Sequence, residues 1–282
     1  MTESHPTSAS PPRGVRLLAG AGTRNVVALM LLAAAISWWL VVRDSAAMVM
    51  PTAVASLPEA ARYTIQWGVM MTAMMLPAAA PLILLYGTVS RRLSASGDKV
   101  ISPSAFAAVY LLVWTLPGVP LYLAHVAIRG AAARWPAVET LSPYGVAAVL
   151  GIAGAYQFSN AKAACLRYCE SPFGFLMKRW RSGYDATLRL ALAHAGYCLG
   201  CCWGLMAILV VAGAMSLHWV LAITIAVSAE KLFPKGGRTS RFVGAVLVAL
   251  AVAIAINPEI AAHMDGGMRH EVRDDVHDGM VM

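Results

Sequence analysis

Tyr63–Ser90 reads YTIQWGVMMTAMMLPAAAPLILLYGTVS, without one charged residue between Arg62 and the Arg91-Arg92 pair. An α-helix needs about 20 apolar residues to cross the hydrocarbon core of a bilayer. Backbone polar groups find no partners in lipid, so an apolar stretch of this length becomes a helix. Six further blocks have the same character: Asn25–Val42, Ser104–Ile128, Tyr144–Ala161, Ala186–Met215, Leu217–Leu232 and Phe242–Ile256. Arg43, Arg129, the Lys178–Arg181 cluster and Lys231 punctuate them. The composition agrees: 59% of the 282 residues are hydrophobic and 13% charged, against about a quarter charged in a soluble domain. The chain reads as all-α, a polytopic transmembrane helix bundle of about seven spans, with no soluble domain and no internal repeat.

Charge orients the bundle. With seven spans and a cytoplasmic N-terminus, 16 of the 22 Lys and Arg residues fall on the inner side, as the positive-inside tendency requires. The C-terminus is then extracytoplasmic. The formal net charge of +8 is orientation charge facing anionic lipid, so the bilayer is the expected partner and nucleic acid is not. Residues 1–24, rich in Ser, Pro, Ala and Arg, read as a disordered cytoplasmic tail. Residues 25–256 form the helical domain, and 257–282 an extracytoplasmic tail rich in Met and His. Asn25–Val42 is too long for a secretory signal core and Ser45-Ala46-Ala47 is a poor cleavage site, so the first helix is retained.

A helix bundle needs small and aliphatic residues at its contacts; it does not need clusters of sulfur. Three occur here. His194, Cys198, Cys201 and Cys202 lie in HAGYCLGCCW, and at 100° per residue they share roughly a 100° arc of one helix. Such neighbours can reach a common ion, and thiolates favour copper(I), zinc or iron–sulfur clusters. Met70, Met71, Met74 and Met75 form the second cluster, ahead of Pro77 and Pro81. Neutral thioethers suit a soft monovalent ion, and the two prolines predict a kinked or broken helix lining a cavity. Cys165 and Cys169, one turn apart at the inner end of the fourth block, form the third. In a reducing compartment they read as a soft-metal or redox pair rather than a structural disulfide. Each cluster also has a plainer reading, since Cys and Met pack well in buried helices.

Other residues extend the series. Met48 and Met50 face outward in this topology. So does the tail carrying His263, Met264, Met268, His270, His277, Met280 and Met282, a candidate low-affinity copper collector. Glu230 and Lys231 read as a local ion pair anchoring the sixth helix near the interface. Tyr156 and Gln157 read as interhelical hydrogen-bonding groups.

Five ordered strings carry a resemblance: MMTAMMLPAAAP at Met70–Pro81, YQFSNAKAACLRYC at Tyr156–Cys169, FLMKRWRSG at Phe175–Gly183, HAGYCLGCCW at His194–Trp203, and Glu230-Lys231. Over Met70–Pro234 the chain resembles a bacterial domain-of-unknown-function family of metal-binding integral membrane proteins, some of whose members are labelled copper chaperone. The resemblance implies location in the bacterial inner membrane. It also implies metal binding by Met70, Met71, Met74, Met75, Cys165, Cys169, His194, Cys198, Cys201 and Cys202.

The expected function is therefore binding of a soft metal ion, copper(I) before zinc, for transfer or translocation, with a copper donor or acceptor protein as partner. The alternatives are a membrane thiol-redox or cofactor-assembly factor using the Cys pairs, and a bundle whose Cys and Met residues only pack. No Walker phosphate loop, aspartyl-phosphate motif or nucleophile elbow is present, so no enzymatic role is indicated and any transport is passive or ion-coupled.

Overall fold

The computed structural model describes residues 21–44, 52, 54–211, 217–233 and 236–261. The N-terminal tail before residue 21, Met48, Met50, residues 212–216 and the Met/His tail from residue 262 lie outside them.

Every element among the described residues is an α-helix: α1 (Ala21–Asp44), α2 (Leu57–Ala95), α3 (Pro103–Thr115), α4 (Gly118–Arg134), α5 (Ala137–Gln157), α6 (Asn160–Glu170), α7 (Pro172–Arg179), α8 (Tyr184–Val211), α9 (Leu217–Leu232) and α10 (Gly236–Ile256). The expected all-α bundle is what the chain forms. Local chemistry sets several boundaries. Ser102 Oγ accepts from Ala105 N at 3.1 Å with Pro103 behind it, starting α3. Ser159 Oγ accepts from Lys162 N at 3.1 Å and starts α6. That second cap corrects the fourth apolar block, which ends at Gln157. Cys165 and Cys169 sit on a helix of their own.

Five segments are long and apolar enough to cross a membrane: Arg24–Asp44, Leu57–Ala95, Pro103–Arg134, Tyr184–Val210 and Gly236–Ile256. Pro103–Arg134 comprises α3 and α4, interrupted only at Leu116 and Pro117. The other two blocks are not among these five: α9 has 16 residues, and α5, with 21, carries Glu139, Pro143 and Gln157. Leu29, Leu31, Leu32 and Trp39 on α1, and Val246, Val252 and Ile256 on α10, point outward. Apolar side chains so arrayed suit a hydrocarbon surround.

Pro77 and Pro81 do not break α2, which runs unbroken for 39 residues. The proline nitrogens remove two ladder hydrogen bonds, yet the flanking turns are held by close packing: Met70, Met71, Met74 and Met75 are all buried. Around α2 pack α1, α3, α4, α7 and α9, while α8 is flanked by α3, α5, α6 and α9. The α5–α10 contact is the closest kind. A Cβ on Gly154 would stand 2.8 Å from Val248 Cγ2, and one on Gly244 would stand 2.7 Å from Gln157 Cβ. Only glycine lets the two backbones approach so nearly.

Candidate metal centre

Cys198, Cys201 and Cys202 project from α8 into the buried interior. Their i, i+3 and i+4 spacing places them on one face, and the adjacent pair at 201–202 brings its sulfurs within 3.3 Å. Cys201 Sγ also donates to the Cys198 carbonyl oxygen at 3.2 Å, a local back-bond available to a thiol one turn on. From α6, Cys169 Sγ comes to 3.7 Å from Cys201 Sγ. The second thiol of α6, Cys165, lies over the bare backbone of Gly200, where a Cβ would sit 2.9 Å from its sulfur.

By their place in the sequence Cys165 and Cys169 form a separate cluster at the inner end of the fourth block. The structure brings Cys169 to the α8 thiols and lays Cys165 against the Gly200 backbone, because α6, started by the Ser159 cap, packs on α8. All five cysteines are free thiols.

The thioether segment reaches this cluster through α3. Tyr110 Oη donates to the Met75 carbonyl oxygen at 3.3 Å and lies 3.0 Å from Cys198 Sγ. The Met70–Met75 face is turned inward, within the same apolar core as the thiols.

His194 is buried beside the cluster in an aromatic box. It stacks on Tyr110 at 5.4 Å between centroids, and Phe175 stands 5.7 Å away on another side. Neither ring nitrogen has a hydrogen-bond partner, an expensive state for a buried polar group. His194 lines a cavity of about 200 Å³ that it shares with Cys169, Glu170, Pro81 and Lys231. Burial raises the Glu170 carboxyl from its ordinary value.

Glu230 and Lys231 do not form a local ion pair. Lys162 Nζ on α6 donates to Glu230 Oε2 at 2.7 Å, both side chains 1% exposed, and Lys231 Nζ donates to Cys198 Sγ at 2.9 Å. Adjacent residues on a helix point about 100° apart, so their separate partners follow from geometry. That signal was in the sequence. Nothing in it pointed to Lys162 as the partner of Glu230, nor to Tyr110 as the bridge. The hydrogen-bonding reading of Tyr156 and Gln157 holds: Tyr156 Oη donates to the Gly200 carbonyl oxygen at 2.6 Å, and Ser240 Oγ to Gln157 Oε1 at 3.1 Å.

Among the described residues no three His, Cys, Asp or Glu side chains are arranged to hold one ion together. What the geometry offers is pairs. Metal–thiolate bonds of about 2.3 Å put two sulfurs on one ion at most about 4.6 Å apart. The 3.7 Å between Cys169 and Cys201 is inside that limit, so the donor chemistry fits a soft ion held by two thiolates.

Buried thiols, a neighbouring thioether helix and an unpartnered imidazole lie together within an apolar helical bundle. A family model described as copper chaperone (PpoB2) matches residues 64–254, more than half of the chain, and the chain belongs to that family. The match bears out the resemblance read from the five strings. No curated protein and no solved structure matches the chain.

Proposed function

We propose that this chain is a multi-pass membrane protein that takes up copper(I) on its buried thiols and passes it to a copper-receiving protein. Membership of a copper-chaperone family supports copper handling. The observation that carries the finer reading is the meeting of Cys169 from α6 with Cys201 from α8 at 3.7 Å. Two thiols on different helices, one of them on a short helix beside a cavity, form a site that a small separation of α6 can open or close. Copper is cargo in this reading, so ligands must exchange. Thiolates would hold the ion through their charge, and the neutral sulfurs of Met70, Met71, Met74 and Met75 together with His194 would add weaker, exchangeable contacts that slow its release without fixing it. Seven spans, a cytoplasmic N-terminus and an extracytoplasmic C-terminus in a bacterial inner membrane belong to the same proposal, as do the tails at 1–24 and 257–282.

The test is copper stoichiometry of the full chain purified in mild detergent under reducing conditions, for the wild type and for Cys198→Ser combined with Cys201→Ser. We expect the wild type to retain copper and the double variant to lose most of it. Equal copper in both would end the thiol-site reading. The same 3.7 Å approach favours one second reading, a thiol-redox factor. That reading requires a Cys169–Cys201 disulfide to form under mild oxidant, with the loss of both thiols from titration and no dependence on copper.

A further inference from the structure

Lys231 presents an ammonium group in the interior of the bundle, 7% exposed, with its Nζ 2.9 Å from Cys198 Sγ. A lysine head offers donors only, and a buried charge is costly unless an opposite charge faces it. Among the described residues it forms no ion pair with a carboxylate. Glu230, its neighbour in sequence, is committed to Lys162. Glu170 lines the same cavity without pairing with it. The three buried groups Lys162, Glu230 and Lys231 therefore leave one net positive charge, and it points at the thiols.

We propose that Lys231 makes the thiol cluster selective for monovalent soft ions, by supplying the single fixed positive charge that an ion held by two thiolates requires. The inference rests on the copper reading above. An ion of charge +1 on two thiolates is a unit of charge −1, which the ammonium of Lys231 balances. A divalent ion on the same two thiolates is neutral, and Lys231 then stands buried without a counter-charge. A third thiolate would restore the balance for a divalent ion. The two thiolates are Cys198, which Lys231 faces, and one neighbour, with the other thiols protonated; among the described residues no group of three is arranged to hold one ion. Uncompensated charge weighs more as the dielectric falls, so the discrimination operates because the site is buried. A lysine acting only as a structural strut between α9 and α8 would stabilise the fold without altering which ion is preferred.

Two soft ions that differ in charge, Ag(I) and Cd(II), separate these roles. Full-length protein in mild detergent and a phosphine reductant would be offered both together, and the bound ratio read by metal analysis. The wild type should favour Ag(I). Lys231→Met, which keeps an apolar stem, should shift the ratio toward Cd(II) by about tenfold or more, equivalent to roughly 1.4 kcal/mol. Lys231→Arg should keep the wild-type preference. An unchanged ratio in Lys231→Met overturns the inference while the copper reading stands. So does a wild type that holds Cd(II) as readily as Ag(I), a result that needs no variant to fold. A wild type that binds neither ion removes the copper reading and this inference with it.

Discussion

Lys162 and Glu230 lie 68 positions apart in sequence and 2.7 Å apart in space, in a setting where neither charge reaches water. The pair keeps Glu230 from neutralising Lys231, which is why the ammonium is left to the thiols. Removing one partner leaves a buried charge unmatched, a loss of roughly 3–5 kcal/mol. Lys162→Met should accordingly lower the thermal unfolding midpoint of the detergent-solubilised protein sharply, and adding Glu230→Gln should recover much of the loss. A Lys162→Met protein as stable as wild type would show that the pair contributes nothing. At this scale the sequence was half legible. Cys198, Cys201, Cys202 and His194 stood out because thiols at i, i+3 and i+4 on one apolar helix have few reasons to be there. The charged residues around them did not, since Lys162, Glu230 and Cys198 come from three helices and no local spacing joins them.

At the scale of the helix, α2 and α6 fared differently. Apolar length alone defined α2, and its Met face is buried, as packing and ligation both require. Of the kinked or broken helix lining a cavity that its two prolines suggest, the break is absent, because the hydrogen bonds they remove can be forgone in a helix packed by neighbours on several sides, while Pro81 does line a cavity. For α6 the deciding signal was Ser159, an N-cap residue inside a block whose apolarity ran on to Ala161. Hydropathy hid the cap, and with it the turn that carries Cys169 to Cys201. The Met face of α2 gives an element-level test of exchangeable ligation. Met74→Leu nearly conserves volume, so stability should change by less than about 1.5 kcal/mol. Copper should stay bound at the wild-type stoichiometry but pass faster to a competing chelator. Loss of copper as complete as in the double Cys variant would make Met74 a principal ligand; unchanged transfer would leave the thioethers as packing alone.

For the whole molecule, the open quantity is how many helices cross the bilayer, and the two short ones decide it. Among the described residues five segments qualify by length and apolarity, and α5 and α9 are not among them. Dropping both leaves an odd number of spans, so a reporter at the C-terminus reads the same for five spans as for seven. The region between α5 and α8 is what differs. With seven spans Lys178, Arg179 and Arg181 face the cytoplasm; with five they face outward, against the tendency of Lys and Arg to stay inside. Packing favours seven as well. The Gly154–Gly244 approach lays α5 directly against α10, one of the five qualifying segments, and a polar-tipped helix shielded by neighbours can lie at membrane depth with less apolar surface than one facing lipid. A reporter active only outside the cytoplasm should therefore be silent when fused after Ser182 and active when fused after Met282. Activity after Ser182 would place α6, and Cys169 with it, on the outer side. The thiol cluster would then be loaded or emptied from the opposite face.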